Sequence, residues 1–424
     1  MFTTWSNNAD QTNKIPWMIF LILTVLFFIA GHDWLISTGL KENFEVTADE
    51  FRISVTEGRW WRRVAFLMLG LYGIISLTQK REFRFKINGI LGWLILFYFF
   101  WSFLSLFWGK DTALIFRRLV VFAMFCLGAF GVAYHFTLRD IILFSIITTG
   151  LYLSIGFIIE LYLGTFQPWE SGYRFSGTLH PNVQGINCSI LFLSSVFAVQ
   201  SIERRRIFFL GCAIIGFTFL LLTNSRTAFG SSLIVLLLYL YMILRKSAKI
   251  VIFLVGIYIF CLLSIFFSDT LFPFLWKVIL LGREEPSTVT LSGRTLLWKD
   301  IMIYVAKHPF LGYGYDSFWT GAQMYKFKNL QGWVVGGGHS AYLDLLLGVG
   351  IVGMVTYVLM LLVAIRRSHS YFKEFNNSEY LYFVVLISFS AINGLLESSM
   401  VGTGTLSFLG WIALVRLGFQ RPYQ

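Results

Sequence analysis

The residues of this chain able to do polar chemistry are one histidine behind three glycines and a set of arginines. His339 follows Gly336-Gly337-Gly338 and stands directly before the apolar run Ala341-Tyr342-Leu343. Glycines let a bulky ligand approach the backbone closely. The start of a helix offers free N–H groups and a partial positive charge, which favour an anion and hold an imidazole neutral. A neutral imidazole suits a general base that takes the proton of a hydroxyl. Arg294 follows Ser292-Gly293, with Ser292 as the expected N-cap, and Arg226 lies in the turn Asn224-Ser225-Arg226-Thr227. That turn is so short that its guanidinium must lie at the mouth between two helices. Guanidinium forks match phosphate oxygens bidentately and keep their charge. Arg174 and His180 share one loop, and His180-Pro181-Asn182 has the form of a turn that starts a helix. Arg174 is expected to help hold an anionic substrate. His180, Asn182, Ser340 and Tyr342 would position the acceptor or the loops. Each residue has a plainer reading: a helix cap for His339, a structural turn for His180, headgroup anchors or salt bridges for the arginines.

Several signals are missing. The chain has no Asp-Xaa-Asp pair, no Walker loop, no Gly-Xaa-Ser-Xaa-Gly elbow and no His-Glu-Xaa-Xaa-His motif. Its histidines are far apart and lack paired carboxylates, so neither a metal site nor a cofactor is expected. Arginines with one histidine suit a phosphate ester or pyrophosphate. His308-Pro309, closing a helix-like stretch, reads as structural.

The elements that must position these residues follow from composition. Hydrophobic residues make up 57% of the 424 and charged residues 13%, against roughly 25% charged in soluble domains. Mean hydropathy is +0.70. Apolar runs repeatedly reach the roughly 20 residues that cross a bilayer as a helix, and the alternation of a barrel is absent. The fold class is therefore all-α, a polytopic membrane protein of about 12 transmembrane helices. The expected spans are 15–31, 62–78, 88–108, 115–134, 140–163, 184–200, 207–223, 228–244, 250–268, 340–365, 379–396 and 402–418. The first is read as a retained helix rather than a cleaved signal.

The net charge of +12 points to topology rather than nucleic acid. Lys80, Arg81 and Arg84, then Arg139, then Arg204 to Arg206, Arg245, Lys246, Arg366 and Arg367 all fall in alternate loops. The positive-inside rule makes that side cytoplasmic, together with both termini. The polar sequences gather on the opposite side: the acidic stretch 41–51, the loop with Arg174 and His180, the Arg226 turn, and Glu397. The largest is a stretch between the ninth and tenth spans, rich in Trp298, Trp319 and Trp333, too apolar for a solvated tail. It divides the chain into helices over 1–268, a folded cap over 269–338 and helices over 339–424. Within it, Leu297, Trp298, Ile301 and Val305 recur at helical spacing and predict an amphipathic helix on the membrane surface. Arg117 and Arg118 open the fourth span, as interface anchors or anion contacts. Cys126, Cys188, Cys212 and Cys261 read as inert small hydrophobes.

Taken together, Ser225-Arg226-Thr227, Ser292-Gly293-Arg294 with Trp298, Pro309-Phe310-Leu311-Gly312-Tyr313-Gly314, and His339-Ser340-Ala341-Tyr342-Leu343 ending in Gly348-Val349-Gly350-Ile351-Val352-Gly353 resemble the O-antigen ligase family over about 170–355. That family includes ligases, polysaccharide polymerases and some protein O-oligosaccharyltransferases. The resemblance implies a bacterial inner-membrane glycosyltransferase with its active site facing the periplasm. Its donor would be a glycan on undecaprenyl pyrophosphate, and its acceptor the lipid A core or another glycan. Arg226 and Arg294 would clamp the pyrophosphate and His339 would deprotonate the acceptor hydroxyl, in a metal-independent, inverting transfer. The chain departs from many relatives at Gly348, where they carry an acidic residue. A polymerase shares the same chemistry and stays open. A lipid-linked glycan transporter is the rival of a different class, but it calls for paired broken helices and polar residues at mid-membrane depth; the polar residues here cluster at one face.

Overall fold

The computed structural model describes residues 17–31, 60–79, 86–244, 294–333 and 335–420. Among the described residues every regular element is helical. In chain order these are α1 (Trp17–Gly31), α2 (Trp60–Gln79), α3 (Gly89–Leu104), α4 (Thr112–His135), α5 (Leu138–Tyr162), α6 (Pro181–Ser201), α7 (Arg206–Leu222) and α8 (Arg226–Ile243). Then come α9 (Arg294–Lys307), α10 (Gly321–Gln331), α11 (Ala341–Phe375), α12 (Glu379–Asn393) and α13 (Thr405–Phe419). Each expected span coincides with a helix, apart from 250–268, which lies outside the described residues.

Six of the described helices (α3 with its 3-10 extension, α4, α5, α6, α8 and α11) are long and apolar enough to cross a membrane. The others that coincide with spans are shorter or less apolar, so the total of twelve stays a sequence-based expectation. Two of the short ones are central: nearly every residue of α12 and α13 is buried. A helix apolar on all sides needs neighbours on all sides. Here α13 packs against α3 and α4, and α12 against α8 and α11. Phe408 of α13 stacks on Phe27 of α1 at 4.3 Å, and Trp411 meets Phe122 of α4 edge-on at 5.4 Å.

Helix starts are set by local chemistry. Asp111 caps α4 by accepting from Leu114 N at 2.9 Å. Thr137 and Asp140 form a reciprocal capping box on α5. His180 caps α6, with Pro181 in the first turn, where a missing N–H costs nothing.

Within the described part of the expected cap, the helix predicted over the Trp298 stretch is present. Leu297, Ile301 and Val305, spaced by four, form the buried stripe of α9. They pack with Phe318, Trp319, Met324, Phe327 and Val335 into a second small core that rests on Leu347 of α11. Each such side chain stabilises the cap by about 1.5–3 kcal/mol. The expectation over 269–293 lies outside the described residues.

One feature was not foreseen. α11 is broken at Gly350, whose backbone has φ 67° and ψ −173°. In hydrocarbon, backbone groups released by a break must find partners. The cap supplies them: Tyr313 N donates to Leu347 O at 2.7 Å, Gly314 N to Gly348 O at 2.9 Å, and Ile351 N to Pro309 O at 2.8 Å. Trp101 Nε1 takes Val349 O at 2.9 Å. A Cβ on Gly350 would lie 2.0 Å from Phe310 O, so only glycine fits. The Pro309–Gly314 turn is thus stitched into a membrane helix, and this ties the cap to the bundle.

Candidate active site

Five segments meet at one end of the bundle. They are the start of α6, the turn before α8, the start of α9, the loop before α11, and the stretch after α12. Glu397, in the last of these, joins them. Its Oε1 accepts from Arg294 Nη2 at 2.8 Å, from Asn182 Nδ2 at 2.8 Å and from Thr227 Oγ1 at 3.4 Å. Arg294 Nη1 also donates to Leu396 O. On the far side of Asn182, its Oδ1 accepts from Arg174 Nη2 at 2.7 Å, while Arg174 Nε donates to Thr223 O at 3.1 Å. Arg174, in the loop that leads into α6, thus joins Asn182, Glu397 and Arg294 in one chain of hydrogen bonds.

The cluster is electrostatically positive. It combines two guanidiniums with one carboxylate, and the N-terminal ends of α6, α8 and α11 lie around it. Such ends carry partial positive charge. Among the described residues Arg294 makes two hydrogen bonds, and a guanidinium has five N–H donors. Glu397 thus orients Arg294 and leaves it capacity for an anion.

Two histidines sit in this field. His180 Nδ1 accepts from Asn182 N at 3.2 Å. A ring nitrogen that accepts a hydrogen bond carries no proton, so neutral His180 bears its proton on Nε2 and can donate but not accept there. Its pKa is lowered to about 4 by the protein packed around it first and then by Arg174 and Arg294. The residue stays exposed to water, which screens this shift more than that of the less exposed His339. His339 is also lowered to about 4, by burial first, then Arg294, then His180. The direction matches the sequence expectation, with burial and the neighbouring charge of Arg294 as its main causes.

The loop around His339 is built rigidly. His339 itself has a left-handed φ of 48°, a conformation costly for non-glycine residues and met mostly where surroundings enforce it. On one side, Gly338 O accepts from Trp298 Nε1 at 2.9 Å, and Gly338 N donates to Asp344 Oδ1 at 2.8 Å. Asp344 also accepts from Trp319 Nε1 at 2.9 Å and from Ser398 Oγ. On the other side, Ala341 N donates to Gly394 O at 2.9 Å and Glu397 O at 3.2 Å. The His339 ring lies 5.4 Å from that of Trp333.

The structure thus brings together His339, His180, Arg174, Asn182 and Arg294. Arg226 is the first residue of α8, beside Thr227, and its side chain is half-buried. Ser340 is the buried N-cap of α11, its carbonyl taking Asp344 N at 3.0 Å. Tyr342 turns away and donates to Ala391 O at 2.8 Å, joining α11 to α12. His308 is exposed, its ring 4.6 Å from that of Tyr313. Arg118 pairs with Asp316 of the cap at 3.1 Å. Cys126, Cys188 and Cys212 are free thiols, and Cys261 lies outside the described residues. Among the described residues no group of His, Cys, Asp and Glu is placed to hold a metal ion.

Sequence reasoning gave no role to Glu397 or Asp344, the two carboxylates that organise the site. Their signal was legible: a carboxylate at the end of an apolar run is expensive unless partnered.

No curated protein matches the chain. Residues 211–358 match the family model Wzy_C, O-Antigen ligase. That stretch contains Arg226, Arg294, His339 and the broken part of α11, whereas Arg174, His180, Asn182 and Glu397 lie outside it. With its long apolar helices and this match, the chain is a multi-pass membrane protein that carries a domain of the O-antigen ligase family, a family of membrane glycosyltransferases.

Proposed function

We propose that this protein transfers a glycan from undecaprenyl pyrophosphate to an acceptor hydroxyl, with His339 as the base. The observation that carries the reading is the division of labour between two neutral histidines beside Arg294. His180 spends its unprotonated nitrogen on Asn182 N, and His339 is left to accept a proton. The acceptor oxygen attacks the anomeric carbon and forms the new glycosidic bond. The bond from that carbon to the pyrophosphate breaks, and undecaprenyl pyrophosphate leaves with the electron pair. The acceptor proton goes to His339. In-line displacement inverts the anomeric carbon. Arg294, Arg174 and Arg226 stabilise the charge growing on the pyrophosphate, and fixed charges of this kind carry much of the barrier lowering in water-poor sites. No metal is needed for such a leaving group. The site lies on the periplasmic side of the inner membrane, with both termini in the cytoplasm.

The acceptor in this reading is the lipid A core, which makes the protein a ligase. Purified protein with a glycan-loaded undecaprenyl pyrophosphate and lipid A core, in EDTA, should give glycosylated lipid A core. A ladder of longer lipid-linked glycans would instead assign a polymerase. No transfer to either acceptor would overturn the glycosyltransferase reading for this chain.

A further inference from the structure

α5 ends in a carboxylate that no charged group among the described residues explains. Glu160 is 2% exposed, and its side chain bonds to a single loop. Oε1 accepts from Ser176 N at 2.9 Å, Gly177 N at 2.7 Å and Ser176 Oγ at 3.4 Å, and Oε2 accepts from the Tyr173 hydroxyl. Its backbone carbonyl accepts from Thr165 N at 2.9 Å, at the start of the same loop. One turn below, Gly177 has φ +59°, and a Cβ there would lie 2.5 Å from Gly156 Cα. The loop is thus pressed onto the backbone of α5 and held by the carboxylate just above. Its other edge is tied to the end of α7, where Phe175 N donates to Leu222 O at 2.8 Å.

Burying a carboxylate costs several kcal/mol unless it is well hydrogen-bonded, and bonding to one loop fixes that loop. The bonded residues, Tyr173, Ser176 and Gly177, bracket Arg174. We propose that Glu160 is a positioning residue for the donor pyrophosphate: its bonds to Tyr173, Ser176 and Gly177 clasp the loop so that Arg174 reaches Asn182 and the site. This rests on the reading of Arg174 as a donor-binding residue. The Tyr173 hydroxyl is the side-chain half of the clasp, and contact with Glu160 helps hold the phenol protonated, after burial.

The test uses the full chain in detergent and undecaprenyl pyrophosphate as the probe, with Kd measured for wild type, Arg174→Ala, Glu160→Ala, the double variant and Tyr173→Phe. Arg174→Ala should weaken binding about tenfold or more. Glu160→Ala should approach that loss, and the double variant should bind no worse than Arg174→Ala, because the two act through one contact. Glu160→Gln should stay within about twofold of wild type, since its amide oxygen still accepts from both backbone N–H groups. Tyr173→Phe should bind measurably more weakly, and it gives the answer if Glu160→Ala does not fold. Binding unchanged by Arg174→Ala would sink the donor-site reading. A clear loss in Arg174→Ala with none in Glu160→Ala or Tyr173→Phe, or fully additive losses, would sink the clasp alone.

Discussion

The two ends of the helix bundle use arginine in opposite ways. At one end Arg367 Nη1 donates to Asn88 O and Leu417 O, and Arg416 Nη1 donates to Ala133 O and Phe136 O. Three of these carbonyls belong to the last turns of α4 and α13, where helix ends are partly negative and carbonyls lack partners. Those arginines fasten helix-end backbone, sharing Leu417 O with Asn88 Nδ2 and Ala133 O with Gln420 Nε2. At the other end Arg174 and Arg294 stand near helix starts, which repel a cation. Each takes one carbonyl, but their placement depends on side chains, Asn182 and Glu397, and on a carboxylate clasp. A cation held against the local field is a poor structural fastening, which supports the proposal that these arginines meet an anion. The histidines follow the same division. His135 lies in the last turn of α4 against Ser76 O at 3.2 Å, whereas His180 and His339 are kept neutral among cations.

This contrast can be broken or sharpened by measurement. The largest effect should come from His339→Ala, which removes the proposed base and should slow transfer by about 10²–10⁴-fold while undecaprenyl pyrophosphate still binds. His180→Ala should leave residual transfer well above that level. Equal losses in the two variants, at matched helical content, would end the division of labour between them. Next comes Arg294→Ala, with an expected loss of about tenfold to a hundredfold in donor affinity or rate. Arg294→Lys should recover little of it, because an ammonium lacks the fork that meets both Glu397 and a phosphate. Arg367→Ala makes the opposite prediction. It should lower stability in detergent by about 1–3 kcal/mol, read as a drop in Tm, with transfer per folded molecule unchanged. A loss of transfer at wild-type stability would erase the contrast between the two ends.

The smallest effect is in pH. The active imidazole is the neutral one, so the acid limb of transfer should follow the folded pKa of His339, about 4. The rate should be flat on going from pH 8 through 6.5 and fall only towards 4. A half-maximal rate near 6.5 would mean that Arg294 and burial do not hold the ring neutral. Stability should change in the same window. From 6.5 downward the unfolded chain binds protons that the folded site refuses, so His339, the less exposed of the two, makes the fold progressively less stable until about pH 4, with a smaller contribution from the exposed His180. Below that both states are protonated and the loss is complete.

Much of this protein could be read along the chain. Runs of apolar residues as long as a bilayer is thick leave a helix little choice, and the described helices coincide with the expected spans within a few residues, except that α11 continues past 365 to Phe375. His180-Pro181 marked a helix start, and the four-residue spacing of Leu297, Ile301 and Val305 marked the stripe of α9, because both signals are local. His339, Arg294 and Arg174 stood out along the chain as costly residues beside apolar runs, and the structure brings them to one cluster. Other features needed the third dimension. Glycine spacing in Gly348-Val349-Gly350 does not show that α11 breaks there, since the break depends on the Pro309–Gly314 turn arriving to take its carbonyls. The fit of Asn182 between Arg174 and Glu397 joins residues 215 positions apart. Residue type and period determined which segments become helices and which side chains could hold an anion. Only packing decided which of two histidines keeps a nitrogen for a proton, because that turns on partners that the chain brings from far away.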